Sequence, residues 1–318
     1  MNDFMQVWAM LWLAGAGATA DKITLLNIDA LREGHNYQDA LYQFGTTYAK
    51  AFGSVVKASQ FPKNSTACFK RLIFLPRPYL LFTFDGWWQD MQCSFVGPSS
   101  LYQRWNIQTR AAYGLLDAPR GKGSDTLHVL LVLRLARTKE EEGEYKTACR
   151  IFANPEEIAA TLRGVLADFS DKEAIQTKLS VVNLADLTFE EQVRLMNTVS
   201  LIIGVHGAGI THAMHAPIGT HLCCGVIEIF PHGEFSAIRG HGNMARRMGH
   251  VYDRIDLPLN DTQRQDRLPP KSYVPPAVLN ASVTAMLLSI SARPTCVLPS
   301  VFSDPYFDSL PSVWGDPK

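Results

Sequence analysis

The sequence predicts an α/β protein whose second half folds as a doubly wound domain around a parallel sheet. Residues 127–133 form an apolar run broken only by one histidine, which is typical of a strand covered on both faces. Further strands are expected at 180–183 and 200–205, with helices at 155–166 and 189–197 between the strands. Helices that alternate with strands in this way predict parallel strands joined by helical crossovers.

The segment 195–230 contains the clearest candidate for a binding site. A strand that ends at Val205 is followed by the sequence HGAG at 206–209 and then by an apolar, helix-compatible segment. We expect a strand, a tight turn and a helix whose first turn is the glycine loop. Glycine places no Cβ between a phosphate and the backbone, and the amino end of a helix favours an anion.

These residues predict a site for a nucleotide diphosphate. The backbone N–H groups of Gly207, Ala208 and Gly209 would contact the phosphates. His206 would add a hydrogen-bond donor, neutral or charged. Glu228, in the strand expected at 226–230, would accept hydrogen bonds from ribose hydroxyls. The alternative is a buried strand-turn-helix in which the glycines serve close packing and the histidine is a satisfied core residue.

Arginines follow the first strand of this domain at three positions, Arg134, Arg137 and Arg150. An acidic run at 139–144 stands between them and is most simply a solvated insertion. Arginines at the carboxyl end of a parallel strand suit bidentate contact with a diphosphate. The alternative for each is a solvated loop arginine.

Composition excludes some partners and leaves others open. The chain of 318 residues is 47% hydrophobic, enough for a large core and for two domains. A formal net charge of zero without a basic stripe argues against nucleic acid, so we expect a small molecule, a protein or a glycan as partner. Six cysteines without a C-x-x-C pair predict no zinc site. The absence of D-x-D gives no sign of a divalent metal and leaves metal dependence open.

The chain divides by composition into five parts. Residues 4–20 are apolar and end in small residues, so they are either a signal segment or a first amphipathic helix, and membrane anchoring stays open. Three N-x-S/T sequons, at Asn64, Asn260 and Asn280, are acceptors if the chain enters the secretory pathway. The predicted parts are an N-terminal segment 1–20, a first α/β domain 21–118, a second α/β domain 125–257, a linker with closing helix 258–292, and a loosely ordered tail 293–318.

Three stretches carry a resemblance to a known family. The sequences LTFEEQ at 187–192, IGVHGAGITH at 203–212 and VIE at 226–228 resemble glycosyltransferase family 61. The likeness extends over about residues 20–292. It implies two Rossmann-like domains of the B-type glycosyltransferase architecture, with an N-terminal domain that is incomplete here. It also implies a UDP-sugar donor held mainly by the second domain, and inversion at the anomeric carbon.

The resemblance gives roles to individual residues. Arg137 and Arg150 match the two arginine positions of the family, and with the 207–209 amides they would stabilise the leaving diphosphate. Inverting transfer also needs a base for the acceptor hydroxyl. Asp29 and Asp85, each at the end of an apolar run in the first domain, are candidates. The alternative is that both are ordinary loop or cap aspartates.

The most specific predictions concern the donor sugar and the acceptor. Animal members of the family use UDP-GlcNAc and modify proteins, whereas plant members use UDP-pentoses on polysaccharide. We predict UDP-GlcNAc and a protein hydroxyl, with a xylosyltransferase as the alternative, in the lumen of the endoplasmic reticulum or Golgi with a Cys68–Cys93 disulfide. Two alternatives come from other functional classes. One is an inactive scaffold or lectin-like relative, and the other is a nicotinamide-dependent enzyme. The last lacks support because G-x-G-x-x-G is missing.

Overall fold

A computed structural model describes residues 24–27, 54–57, 100–115, 126–135, 149–218, 224–231, 240–257 and 271–292. Strands β1 (Thr24–Asn27) and β2 (Ser54–Lys57) pair in parallel and form a two-stranded sheet of their own. Each of these strands contains a pair of apolar residues in the sequence, Leu25-Leu26 and Val55-Val56. The apolar N-terminal segment, the C-terminal tail, Asp29, Asp85, Cys68 and Cys93 lie outside the described residues.

The second sheet has five parallel strands in the order β4-β3-β5-β6-β7. Its strands are β3 (Thr126–Leu133), β4 (Gln176–Asn183), β5 (Leu201–Val205), β6 (Gly225–Phe230) and β7 (Val251–Asp256). The chain adds β4 on one side of β3 and then β5, β6 and β7 on the other. This is the doubly wound arrangement that the alternating pattern predicts, and it brings all five carboxyl ends to one edge.

Helices cover both faces of this sheet. They are α1 (Ser100–Ala112), α2 (Pro155–Glu173), α3 (Phe189–Met196), α4 (Gly240–Met248) and α5 (Pro276–Ser291), with short 3-10 helices at Leu184–Asp186 and Ala208–His215. Of the described helices, none is long and apolar enough to cross a bilayer.

The strand side chains alternate between two cores. Leu130, Ile202 and Val226 face a core that also holds Tyr102 and Trp105 of α1. Their strand neighbours, among them Leu131, Ile203 and Ile227, face a second core closed by α2 and α5. Trp105 is 0% exposed, so α1 is an integral layer against the five-stranded sheet, although it precedes residue 118, the expected end of the first domain.

The start of α2 differs from the cap that an asparagine before a proline predicts. The side chain of Asn154 accepts no hydrogen bond from the first turn of the helix. Its amide donates instead to Glu157 Oε2 at 2.7 Å and to the Val274 carbonyl at 3.0 Å, and its oxygen accepts from the Val274 amide at 3.1 Å. Asn154 therefore ties the start of α2 to the segment that leads into α5, while Pro155 supplies the helical φ at the first position.

Candidate functional site

The two central strands of the sheet place the candidate loop. β3 and β5 are neighbours, with Val132 opposite Gly204, but the chain leaves them toward opposite sides of the sheet. The loops that follow the two strands therefore diverge and leave a crevice at the carboxyl edge, which is where open α/β sheets bind ligands. Arg134 follows β3 and His206 follows β5, so both border this crevice.

The loop after β5 depends on glycine at two positions for different reasons. Gly207 has φ +157° and ψ −178°, a backbone conformation that residues with a Cβ rarely adopt. A Cβ on Gly209 would lie 3.0 Å from Val132 Cγ1, so this glycine serves close packing of the helix on β3. The helix that follows is a 3-10 helix rather than the expected α-helix, and it begins at Ala208.

Two arginines flank Gly207. The position of a Cβ on Gly207 lies 3.8 Å from a terminal nitrogen of Arg134 and 3.9 Å from Cδ of Arg150. Arg134 is exposed at the carboxyl end of β3, and Arg150 is half-buried just before α2. Arg137 lies outside the described residues. Among the described residues, Arg134 and Arg150 are the arginines beside the loop.

Beneath the loop, Glu228 is the common acceptor of three side chains. Oε1 accepts hydrogen bonds from Nδ1 of His206 and Nδ1 of His241, each at 2.6 Å. Oε2 accepts from the Tyr252 hydroxyl at 2.8 Å. Glu228 is 1% exposed, His206 4% and His241 3%. We call these four residues the Glu228 cluster.

The Glu228 cluster has a defined protonation pattern. The two histidines lower the pKa of Glu228 to about 2 against the opposing effect of burial, so it is a carboxylate at neutral pH. A carboxylate only accepts hydrogen bonds, and both imidazoles therefore carry a proton on Nδ1. Nε2 of His241 lies 3.3 Å from the Thr211 hydroxyl, and this hydrogen bond links the cluster to the 3-10 helix.

The charge state of His206 follows from its surroundings. Burial lowers the pKa of His206 below its usual value, and the hydrogen bond and charge of Glu228 offset this only in part. Neighbouring positive charge from Arg150 lowers it further. The ring also stacks on Phe230, with 4.7 Å between ring centroids, and the guanidinium of Arg254 lies 3.6 Å from the centre of that phenyl ring. His206 is therefore neutral at pH 7.

His206, Glu228 and His241 are also a set of residue types that can bind a metal, with ligand atoms within 4.8 Å of one another. Ligands about 2.1 Å from a tetrahedral zinc ion stand about 3.4 Å apart. The 2.6 Å separations between Oε1 and each Nδ1 are shorter than that and are those of hydrogen bonds. The distances within the Glu228 cluster therefore fit hydrogen bonds rather than coordination of a metal ion.

Comparison with known proteins decides the family. Residues 34–223 match the family described as Glycosyltransferase 61, which is more than half of the chain. The chain belongs to glycosyltransferase family 61. Its enzymes use nucleotide-sugar donors, and the glycine loop with its flanking arginines lies at the edge of the sheet suited to such a ligand. The matched range ends before Glu228, His241 and Tyr252.

Curated relatives of this family member come from plants. A β-1,2-xylosyltransferase of Oryza sativa subsp. japonica is 25% identical over 211 residues, which cover 62% of this chain and 38% of the relative. A β-1,2-xylosyltransferase of Arabidopsis thaliana is 27% identical over 201 residues, covering 56% and 37%. An α-1,3-arabinosyltransferase of Oryza sativa subsp. japonica is 26% identical over 222 residues, covering 67% and 33%. The chain thus spans less than two-fifths of the length of these relatives.

Sequence reasoning finds part of this site and misses part. The structure brings together five of the predicted residues, Arg150, His206, Gly207, Gly209 and Glu228, and Ala208 begins the 3-10 helix beside them. It adds Arg134, which the arginine pattern contains but does not single out. His241 and Tyr252 are missed because the sequence predicts neither α4 nor β7, and no motif marks either residue.

Proposed function

We propose that this family 61 protein is an inverting glycosyltransferase and that the crevice between the β3 and β5 loops binds the diphosphate of a UDP-sugar. The observation that carries the proposal is Gly207 lying between Arg134 and Arg150 at the switch point of the sheet. A guanidinium nitrogen of Arg134 and the side chain of a second arginine, Arg150, lie beside this glycine, and two arginines at one loop suit a doubly negative group. Arg137 stays a further candidate for the same ligand.

The same arrangement supports departure of the leaving group. In an inverting transfer, negative charge builds on the diphosphate as its bond to the sugar breaks. Fixed positive groups and amide dipoles stabilise that charge without needing to reorganise. Arg134, Arg150 and the backbone around Gly207 have this role in our proposal.

Glu228 takes an indirect role in this proposal. The sequence predicts that it binds ribose hydroxyls, but its carboxylate is buried and engaged by three side chains. Those contacts support a function beneath the loop, where Glu228 orients His206. The acceptor base remains in the first domain, with Asp29 and Asp85 as candidates, on the two-domain B-type architecture that we propose for the whole protein.

The names of the relatives favour a pentose over GlcNAc. All three transfer xylose or arabinose by name. We therefore propose a UDP-pentose donor and a glycan acceptor, in the lumen of the secretory pathway, as the first function. Transfer of GlcNAc to a protein hydroxyl, the main expectation from sequence, becomes the second candidate, supported by the resemblance of the 187–192 and 207–212 sequences to the animal members that use UDP-GlcNAc.

A donor panel tests the proposal. The purified chain is incubated with UDP-xylose, UDP-arabinose, UDP-GlcNAc and UDP-glucose, and UDP release is measured beside equilibrium binding of UDP and of NAD. We expect UDP to bind, NAD not to bind, and a pentose donor to react fastest. Faster release from UDP-GlcNAc would reverse the order of the two candidates. Binding of UDP without turnover of any donor would favour the inactive relative.

A further inference from the structure

We propose that donor binding at this site is linked to a proton: His206 takes up a proton on Nε2 when the diphosphate binds, and Glu228 balances the imidazolium. His241 and Tyr252 are positioning residues that hold the Glu228 carboxylate in place. The inference rests on the proposed diphosphate site and adds the protonation state in which that site works.

Hydrogen-bond geometry limits where His206 can gain a proton. Nδ1 already carries the proton that it shares with Oε1 of Glu228 at 2.6 Å. The second ring nitrogen, Nε2, is therefore where another proton can be added. A neutral Nε2 is an acceptor, and phosphate oxygens are acceptors too, so a neutral His206 cannot donate to a diphosphate.

The charges around His206 are balanced before a ligand arrives. Glu228 from β6 favours an imidazolium, whereas His241 from α4 and Arg150 before α2 lower the pKa of His206. Arg134, after β3, lies beside Gly207 at the same loop. His241 from α4 shares the Glu228 oxygen, and Tyr252 from β7 stays neutral because burial and Glu228 both raise its pKa. Arg254 of β7 lies against Phe230, the ring on which His206 stacks.

Binding of a diphosphate shifts this charge balance toward protonation of His206. Bound beside Arg134 and Arg150, its two negative charges offset the positive charge of Arg150 that opposes protonation of His206. Interaction between unit charges about 5 Å apart in a partly buried site shifts a proton equilibrium by about tenfold or more. The imidazolium then lies between the Glu228 carboxylate and the ligand. The proton comes from solvent, an N–H bond forms at Nε2, and no bond of the donor breaks in this step.

The Glu228 carboxylate is suited to balance the His206 imidazolium because hydrogen bonds to both of its oxygens fix its orientation. His241 holds the same Oε1, and Tyr252 holds Oε2 at 2.8 Å. Loss of either partner would leave the carboxylate free to rotate and would weaken its support of His206. His241 and Tyr252 therefore act through Glu228 and touch no donor atom in this proposal.

Calorimetry in different buffers measures the proton directly. Binding of UDP-xylose and of UDP-GlcNAc is titrated at pH 7.5 in PIPES and in Tris, whose ionisation enthalpies differ. The diphosphate of a UDP-sugar is a diester without a group that titrates near neutral pH, so any proton taken up belongs to the protein. We expect uptake approaching one proton per bound donor, and affinity that falls by up to about tenfold per pH unit above neutrality.

Variants assign the proton to His206. His206→Gln and Glu228→Gln should bind donor more weakly and without proton uptake. Tyr252→Phe should keep uptake but move its midpoint to lower pH. His128→Gln is the matched control, since His128 is a buried histidine bonded to Thr198 and Ser180 away from the cluster. Uptake in this control should equal that of the unaltered protein.

The possible failures are distinguishable. Donor that binds the unaltered protein without proton uptake, or uptake that survives His206→Gln, would overturn the inference and leave the proposed function standing. Failure of every UDP-sugar to bind would overturn the proposed function itself. If Glu228→Gln does not fold, 15N spectra of histidine-labelled protein decide the point, because Nε2 of His206 must change from an acceptor to a protonated nitrogen on addition of donor.

Discussion

The side-chain amide of Asn106 donates a hydrogen bond of 2.6 Å to the backbone carbonyl of Met214, 108 residues later in the chain. It also donates to the carbonyl of Ala216 at 2.8 Å. Met214 lies in the last turn of the 3-10 helix that begins at the glycine loop, and Asn106 lies in the buried face of α1. α1 therefore supports the candidate site from behind.

Replacing Asn106 tests that support. In Asn106→Leu the two buried carbonyls lose their donor, and we expect a loss of about 2–4 kcal/mol in the free energy of unfolding. Urea denaturation measures it. Ala111→Ser, on the exposed side of the same helix, is the control and should change stability little. Equal stability of Asn106→Leu and the control would mean that α1 does not anchor the 3-10 helix.

Gly207 should be required for its backbone conformation rather than for space. The nearest heavy atoms to a Cβ there are 3.8 Å away, so Gly207→Ala clashes with no neighbour, but it strains the backbone at φ +157° by about 1–3 kcal/mol. We expect the loop to shift and donor affinity to fall at least about tenfold. Calorimetric titration with the donor measures this.

Gly164 gives the matched control for that change. It lies in α2, and an added methyl group there would have no neighbour within 4 Å. Gly164→Ala should therefore leave donor affinity unaltered and raise stability by about 0.5–1 kcal/mol. The idea would be wrong if both alanine variants bound donor with the affinity of the unaltered protein.

Arg134 should contribute more to donor binding than its exposure indicates. Arg134→Ala removes one charged partner of the diphosphate, and a charge-assisted hydrogen bond of about 1.5–3 kcal/mol corresponds to a roughly 10- to 100-fold loss of affinity. Arg163→Ala, an exposed arginine of α2 outside the crevice, keeps the same net charge as Arg134→Ala. Equal affinities in these two variants would remove Arg134 from the site.

Histidines at the end of the 3-10 helix should make the fold acid-sensitive. Burial lowers the pKa of His212 to about 4, and burial together with His212 lowers the pKa of His215. The unfolded chain, with histidine pKa values near 6.5, binds protons more readily than the folded chain. Stability is therefore fully present above about pH 6.5 and is lost as pH falls toward 4, by about 3 kcal/mol for His212 alone.

His212→Phe measures that contribution. The substitution keeps a ring beside Phe189, whose centroid lies 6.1 Å from that of His212, and removes the titrating group. Unfolding free energies of the two proteins, measured between pH 7.5 and 4.5, should fall less steeply for the variant. Parallel curves would show that His212 takes no part in acid sensitivity.

Sequence patterns predict the elements that are both apolar and regular. The strand predicted at 127–133 is β3, which extends over Thr126–Leu133, and the helix predicted at 189–197 is α3, which ends at Met196. α2 runs seven residues beyond its predicted end at 166, because apart from the buried Phe169 those residues are polar or small and extend the apolar periodicity only weakly. It ends at Ala174 with φ 55°, where a glycine would have marked the end.

The sequence pattern does not predict α4 and β7, and the physical reason differs between the two. α4 contains Gly240 and Gly242, which disfavour a helix unless packing compensates, as Met244 and Met248 do in the core. β7 is an edge strand in which three of six residues are charged. The Glu228 cluster needs a residue from each of these elements, so only the structure could reveal it.

The position of Arg134 beside the loop is also not predictable from the sequence. Arg134 and Arg137 stand in the same segment after β3, and residue type and spacing are alike for both. The position of the Arg134 side chain depends on the register between β3 and β5. The local sequence does not determine that register.

The order of the strands has a consequence for how the chain assembles during synthesis. β3 is the first strand of the five-stranded sheet to be made, and each later strand joins an edge that already exists, β4 on one side and then β5, β6 and β7 in turn on the other. No strand of this sheet has to insert between two that have paired. The helix α1, in contrast, cannot reach its final packing in order of synthesis. It emerges before β3 but packs against the 3-10 helix and α4, which follow about a hundred residues later or more. Until they arrive, Tyr102 and Trp105 have no complete core to enter, and this helix is where a chaperone would find apolar surface on the growing chain.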